Sequence, residues 1–306
     1  MSRIANALKI ARGETAELGL RALEGTNGGP AARRVSRDSQ TNGGGGSQTA
    51  AGTDAFEAQA PEVAWSSSPS YSLSLEVSQS SPLLASKREQ PYAAEQYRVV
   101  RTRIMQSASK RSVIVISSPG IGDGKTVTAV NLAAAFAMDT EEQVLLVDAD
   151  LRRSSVHSYL HVPESPGLAD VLAGAREVQD AVFNLNQIPN LWVLPAGKPA
   201  ASPTELLGSS RWPALIKTLR QSFQRVILDC PPMEAVADYD LIATVCDGVI
   251  LIVRPDCTDR TLCLRAIEKA KAKSLGVLIN GTEERAASRR YFAPYYSRLR
   301  KRDGKR

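Results

Sequence analysis

The sequence predicts a doubly wound α/β domain, a mostly parallel sheet with helices on both faces, set between a disordered N-terminal linker and a basic C-terminal tail. Three observations predict it. Beyond Pro91, short β-branched runs alternate with segments of helical periodicity, the pattern of strand–helix–strand crossovers. Gly and Ser crowd into the first third of the 306 residues, with Gly43 to Gly46 in a row and nine Ser between Ser66 and Pro82; such a stretch has too little apolar surface to offset the entropy of ordering. Charge is also uneven. Residues 285–306 hold nine Arg/Lys and one Asp, net +8, so residues 1–284 carry −2 of the chain's +6.

Taken in order, residues 1–25 predict a short N-terminal helix, with Ile4, Leu8 and Ala11 at helical spacing and a stop at Gly25-Thr-Asn-Gly-Gly-Pro30. Residues 26–90 predict the linker, 91–284 the folded domain and 285–306 the tail. Within the domain, strands are predicted at Ser112–Ser117, Gln143–Asp148, Leu191–Pro195, Arg225–Asp229, Gly248–Arg254 and Gly276–Asn280. Helices are predicted at 93–108, 124–138, 167–174, 203–222, 237–246 and 259–272.

Several classes are disfavoured. The longest apolar candidate, Leu241–Val253, is broken by Asp247 and Gly248 and falls short of the ~18 residues a membrane helix needs. The first residues lack a secretory apolar run, so a cytoplasmic location is expected. Cys230, Cys246, Cys257 and Cys263 are too few and too irregularly spaced for a disulfide framework. His157 and His161 are four apart, with no third ligand at matching spacing, and read as ordinary helix residues.

The chemistry begins where the first domain strand runs into Ser117-Ser-Pro-Gly-Ile-Gly-Asp-Gly-Lys-Thr126 and a helix. Backbone N–H groups of a glycine-rich turn and the positive end of a helix dipole make a nest for a phosphate chain. Lys125 is placed to reach the outer phosphates and the Thr126 hydroxyl to hold Mg²⁺. This is the phosphate loop of a P-loop NTPase, although Pro119 stands where the strict pattern has Gly. Gly120, Ile121, Gly122, Asp123, Gly124, Lys125, Thr126 and Val127 are its predicted nucleotide contacts. Two other strands end in Val147-Asp-Ala-Asp-Leu-Arg-Arg153 and Val226-Ile-Leu-Asp-Cys-Pro-Pro232. Ligands of doubly wound sheets sit at the carboxyl ends of strands, so Asp148, Asp150 and Asp229 are expected beside the phosphate loop. A single strand-end Asp is as often a helix cap, but three converging on one crevice imply a metal. Asp148 and Asp150 would divide metal ordering and proton acceptance between them, in an order the pattern leaves open.

At these residues the chain resembles the bacterial tyrosine autokinases (BY-kinases) of capsule and exopolysaccharide assembly. The likeness runs through Ser118–Thr126, Leu146–Arg152, Ile227–Pro232, Leu194-Pro-Ala-Gly197, Pro203–Leu207, Asp238, Asp247–Arg254 and Gly276–Asn280, and covers about residues 90–297. Gly120 stands where partition and division-site ATPases carry a second signature lysine, which favours the kinase branch; Ser202 departs from the Asn usual before Pro-x-Glu-Leu-Leu. The 1–24 segment is similar to the start of exosortase-associated members. The resemblance implies ATP and Mg²⁺ as cofactors, Lys125, Asp148 and Asp150 as catalytic residues, Thr126, Asp150 and Asp229 around the metal, and Asn280 at the nucleotide.

It also gives meaning to two other features. Glu95, Arg98 and Arg101 lie at spacings of three, near one face of a helix; by spacing they could be a solvated row, but they match the ExxRxxR element through which the family forms rings. Tyr291, Tyr295 and Tyr296 lie in the last sixteen residues. Gly281–Arg290 could span up to ~33 Å, so these tyrosines look like acceptors phosphorylated in trans. The implied partners are further copies of the chain, a separate transmembrane chain-length regulator holding it at the inner membrane, and a tyrosine phosphatase; no nucleic-acid motif accompanies the basic tail. The rival reading is an ATP-switched assembly ATPase of the partition type that phosphorylates nothing.

Overall fold

The computed structural model describes residues 72–73, 91–107, 112–139, 141–255 and 257–282. The predicted N-terminal helix, most of the linker, and the tail with Tyr291, Tyr295 and Tyr296 lie outside the described residues. The elements run β1 (Ser72–Leu73), α1 (Pro91–Gln106), β2 (Val113–Ser117), α2 (Lys125–Asp139), β3 (Val144–Asp148), α3 (Val156–Leu160), α4 (Leu168–Ala173), β4 (Phe183–Leu185) and β5 (Ile188–Leu194). They continue with α5 (Pro203–Gly208), α6 (Arg211–Ser222), β6 (Arg225–Asp229), α7 (Asp238–Ala243), β7 (Gly248–Val253), α8 (Arg260–Ala270) and β8 (Ser274–Ile279).

One sheet of eight strands results, in the order β1-β4-β5-β3-β6-β2-β7-β8, and every pairing is parallel except β4 with β5. Between their polar end residues its central strands are continuously apolar, because both faces are covered. In β2, Val113 and Val115 enter one core while Ile114 and Ile116 enter the other; β3 repeats this, with Leu145 and Val147 on one side and Val144 and Leu146 on the other. The period of two in side-chain direction thus serves two cores at once. On the first face lie α4, α6, α7 and α8, through residues such as Leu172, Trp212, Tyr239 and Ala266. On the second, α2 packs against the sheet and α1 lies over α2 through Val100 and Ile104. This explains a helix apolar on nearly all sides: Ala133, Ala134, Ala135 and Ala137 are all buried, and their small side chains permit close approach.

The predicted strands and helices are present with boundaries shifted by up to three residues, with four differences. The helix expected over 203–222 is two, because the chain turns extended at Ser209 (φ −74°, ψ 158°) between Gly208 and Arg211. Strand β4 carries no signal in the sequence, because its three residues are too few to show alternation; it forms an antiparallel hairpin with β5 across Asn186-Gln187. Within the span predicted as linker, Ser72 and Leu73 pair in parallel with Asn184 and Leu185. Short α3 carried no distinct signal.

Candidate active site

The carboxyl ends of β2, β3 and β6 meet at the centre of the sheet, and the ladder determines what faces what. Asp148 and Asp229 are direct register partners on neighbouring parallel strands, so their carboxyls emerge side by side. Ala149 N–H donates to the Asp229 carbonyl at 2.8 Å, extending the ladder one residue into the loop. Next to them β2 leaves the sheet at Ser117, whose hydroxyl donates to the Pro231 carbonyl at 2.7 Å, while Met233 N–H donates to the Ser118 carbonyl at 2.9 Å. Those two bonds hold the loop after β6 against the start of the phosphate loop.

The phosphate loop turns through Gly122 (φ 86°) and Gly124 (φ 91°), both in the left-handed region that glycine tolerates, and α2 starts at Lys125. Gly124 is required sterically as well: a Cβ there would collide with the Asn280 side-chain nitrogen. Asn280, at the end of β8, donates through Nδ2 to the Asp123 carbonyl at 2.9 Å. Asn280 therefore props the loop, in addition to the nucleotide contact the resemblance implies. The Asp123 side chain is buried beneath the loop; Oδ2 accepts Gly120 N–H at 3.2 Å and Oδ1 accepts the Thr258 hydroxyl at 2.6 Å.

The three strand-end carboxylates differ in what holds them. Asp148, fully buried, accepts Ser155 and Val156 N–H on Oδ2 at 3.0 and 3.1 Å, and Asp150 N–H on Oδ1 at 3.2 Å. It thereby caps α3 and shapes the loop that carries Asp150. Asp150 is slightly more open at 7% exposure, and its Oδ1 accepts Arg153 N–H at 3.0 Å. Asp229 is bonded by the Thr126 hydroxyl, which itself accepts the Ser155 hydroxyl at 3.1 Å. Asp229 Oδ1 is buried with no hydrogen-bond partner.

Burial pushes the Asp148 carboxyl well above the ordinary range, and the neighbouring Asp229 charge pushes it further, against the two amides of Val156 and Ser155. Burial raises Asp229 to about 7, with the Asp150 charge adding and the Thr126 bond and Lys125 opposing. Two adjacent buried carboxyls that repel each other, one with an orphaned oxygen and a hydroxyl beside it, fit a hard divalent cation, which takes oxygen ligands. Thr126, Asp150 and Asp229 are the residues here that would hold it. Cys230, next to Asp229, is raised by burial and is no nucleophile.

A second cluster frames the crevice. Arg152 donates from Nε to Asp238 Oδ2 at 2.6 Å and from Nη2 to Asp238 Oδ1 at 3.2 Å, and the Thr204 hydroxyl donates to Asp238 Oδ1 at 2.7 Å. It ties the loop after β3 to the starts of α5 and α7. Burial alone would raise Asp238, but the Arg152 and Thr204 bonds hold it below the usual carboxylate range. The role of Ser155, Thr204 and Thr258 was not visible in sequence, since each acts on a residue at least 29 positions away.

Of the other predicted site residues, Glu95 and Arg98 form an intrahelical pair at 3.0 Å on α1. Arg101 instead donates from Nη1 to the Ala135 carbonyl of α2 at 2.8 Å. All four cysteines are free thiols. His157 lies in α3 and His161 just past its end at φ 54°, and no group able to hold a metal through three His, Cys, Asp or Glu side chains occurs among the described residues. Among those residues no helix is long and apolar enough to cross a membrane.

The chain is similar to known proteins. Residues 111–262 match the family model described as AAA domain. The chain is similar to the tyrosine-protein kinase YwqD of Bacillus subtilis, 36% identical over 193 residues that cover 61% of this chain and 81% of the relative. It is 33% identical over 212 residues to the tyrosine-protein kinase ptk of Acinetobacter johnsonii, covering 67% of this chain and only 28% of that longer protein. Among solved structures, the kinase domain of the Escherichia coli tyrosine kinase ETK superposes with a TM-score of 0.61 at 27% identity, covering 69% of this chain and 84% of that one. With the phosphate loop, the paired strand-end aspartates and kinship over most of YwqD, the chain belongs to the bacterial tyrosine-protein kinases.

Proposed function

We propose that the chain transfers the γ-phosphoryl group of ATP to tyrosines of its own C-terminal cluster, Tyr291, Tyr295 and Tyr296, between copies of itself, and that this cycle regulates exopolysaccharide or capsule assembly. The observation that carries the reading is the register pair Asp148 and Asp229 beside Thr126 and Lys125, a phosphoryl-transfer site that belongs to a chain of the tyrosine-kinase family. A divalent cation such as Mg²⁺, held by Thr126, Asp150 and Asp229, would supply charge neutralisation at the phosphates. Lys125 follows the transferred group. Asp150, the least buried of the three aspartates, accepts the tyrosine hydroxyl proton as the phenolic oxygen bonds to phosphorus; the bond to the bridging oxygen breaks and ADP leaves. Asp148 supports this by holding the Asp150 loop through its three amide bonds.

The tail's basic charge and the absence of a membrane-crossing helix among the described residues are consistent with peripheral attachment through a separate transmembrane chain-length regulator, with a tyrosine phosphatase resetting the tail. The test mixes two variants with ATP and Mg²⁺: a Lys125→Met subunit with an intact tail, and an active subunit whose Tyr291, Tyr295 and Tyr296 are Phe. Phosphotyrosine on the Lys125→Met subunit is expected, mapped by mass spectrometry. If ATP is hydrolysed and no tyrosine is modified, the ATP-switched assembly ATPase replaces the kinase.

A further inference from the structure

The structure assigns Thr258 a role in nucleotide binding: it is a positioning residue for the phosphate loop, acting through Asp123. The inference rests on the phosphate loop as a nucleotide site and is independent of what is phosphorylated.

A carboxylate under a phosphate-binding loop is electrostatically costly, since it adds negative charge next to the place where more must bind. Asp123 is nonetheless buried there, at 1% exposure. Its two oxygens are divided. Oδ2 accepts Gly120 N–H at 3.2 Å, closing the entry of the loop onto its own third residue onward, and Oδ1 accepts the Thr258 hydroxyl at 2.6 Å from an element 135 residues away. A threonine hydroxyl has one proton to give. Here its direction is fixed, because the same oxygen already accepts Arg254 N–H at 2.9 Å, which leaves the proton for Asp123.

Thr258 is itself held by further hydrogen bonds. Its own N–H donates to the Arg254 carbonyl at 2.9 Å, closing the turn after β7. The next residue, Asp259, caps α8 by accepting Thr261 and Leu262 N–H at 2.8 and 3.0 Å. The hydroxyl is therefore presented from a turn anchored to both β7 and α8. Together with Asn280, which holds the Asp123 carbonyl, it pins the outer turn of the loop at two points while the glycines leave the backbone free to bend. A loop whose amides already converge loses less entropy when the phosphates arrive.

Removing only the hydroxyl, by Thr258→Val, should weaken ADP binding about tenfold, the loss expected for one hydrogen bond to a charged group. Thr258→Ser, which keeps the hydroxyl, should stay within about twofold of wild type. Isothermal titration of the full chain with ADP reads both. Hydrogen exchange of the ligand-free protein, followed by mass spectrometry, should show faster exchange in the peptide covering Gly120–Lys125 for Thr258→Val and unchanged exchange in the central strands. Should Thr258→Val fail to fold, Thr258→Ala takes its place in both measurements. Wild-type affinity in the hydroxyl-less variant, or equal loss in the Val and Ser variants, overturns the proposal. So does faster exchange spread over β7 and α8 rather than confined to the loop, which would mark Thr258 as a turn-closing residue only. Wild-type protein that binds ADP and phosphorylates no tyrosine would count against the kinase reading alone.

Discussion

Asp229 shows what a residue gives up to serve a site. Its carboxyl is buried, is raised to about 7 chiefly by that burial, and has an oxygen without any partner. Without a cation this arrangement opposes folding, because a buried charge beside another is expensive. Asp229→Asn should therefore raise the melting temperature of the protein in EDTA by about 2–4 °C, the shift that roughly 1 kcal/mol gives a domain of this size. It should also abolish the extra stabilisation that Mg²⁺ gives in the presence of ADP; differential scanning calorimetry with and without Mg²⁺ measures both. An unchanged Mg²⁺ response would remove Asp229 from the metal site. Sequence placed Asp148, Asp150 and Asp229 at strand ends from the hydrophobic runs before them, because the chain order of apolar residues fixes where a strand stops. It could not separate their roles, which depend on the amides of Ser155 and Val156 closing on Asp148.

At the scale of elements, packing divides a row that looks uniform in sequence. Glu95, Arg98 and Arg101 share a spacing of three, yet Arg98 pairs with Glu95 on the surface of α1 while Arg101 binds the Ala135 carbonyl near the end of α2, where a cation favours the helix dipole. Replacing Glu95 and Arg98 with Ala should change oligomeric mass, measured by light scattering, with a melting shift of no more than about 2 °C, since exposed pairs contribute little to stability. Arg101→Ala should lower the melting temperature as well. A second junction lies at the amino ends of β2 and β7, away from the phosphate loop. Asp247 accepts Ser112 and Val113 N–H and is gripped by Arg220 through two bonds of 2.6 and 2.8 Å, joining β2, β7 and α6. Burial would raise the Asp247 carboxyl, but the Arg220 and Val113 bonds outweigh it and hold the carboxyl below the usual value. A depressed folded-state carboxyl contributes stability that is present above the unfolded value near 4 and is lost as pH falls through the folded value. Wild type should therefore lose more stability than Asp247→Asn between pH 5 and pH 3, so that the two urea midpoints converge on acidification; a constant gap would mean that Asp247 is not ion-paired in solution. None of this was legible beforehand, because Arg220 and Asp247 lie on different elements and only the fold brings them together.

At the scale of the whole molecule, the charge division read from the sequence has a consequence that no single contact carries. Residues 285–306 hold net +8 against −2 on the rest of the chain, so the tail is attracted to anionic surfaces, with a strength that falls as salt screens it. Phosphates on Tyr291, Tyr295 and Tyr296 would each add about −1.5 to −2 at neutral pH, leaving the tail at roughly +2 to +3.5. At about 1 kcal/mol for each basic residue near an anionic membrane, most of the attraction would go. Unphosphorylated protein should therefore bind vesicles containing phosphatidylserine in a salt-sensitive way, and the fully phosphorylated protein should bind at least tenfold more weakly at 0.1 M salt. Co-sedimentation of both forms over a series of salt concentrations decides the matter. The variant with all three tyrosines changed to Phe should keep the tight, salt-sensitive binding after incubation with ATP, because its tail charge cannot change there. Equal binding of the phosphorylated and unphosphorylated forms would mean that the tail's charge does not act on a membrane surface, and that its basic residues serve contacts within the assembly of subunits instead.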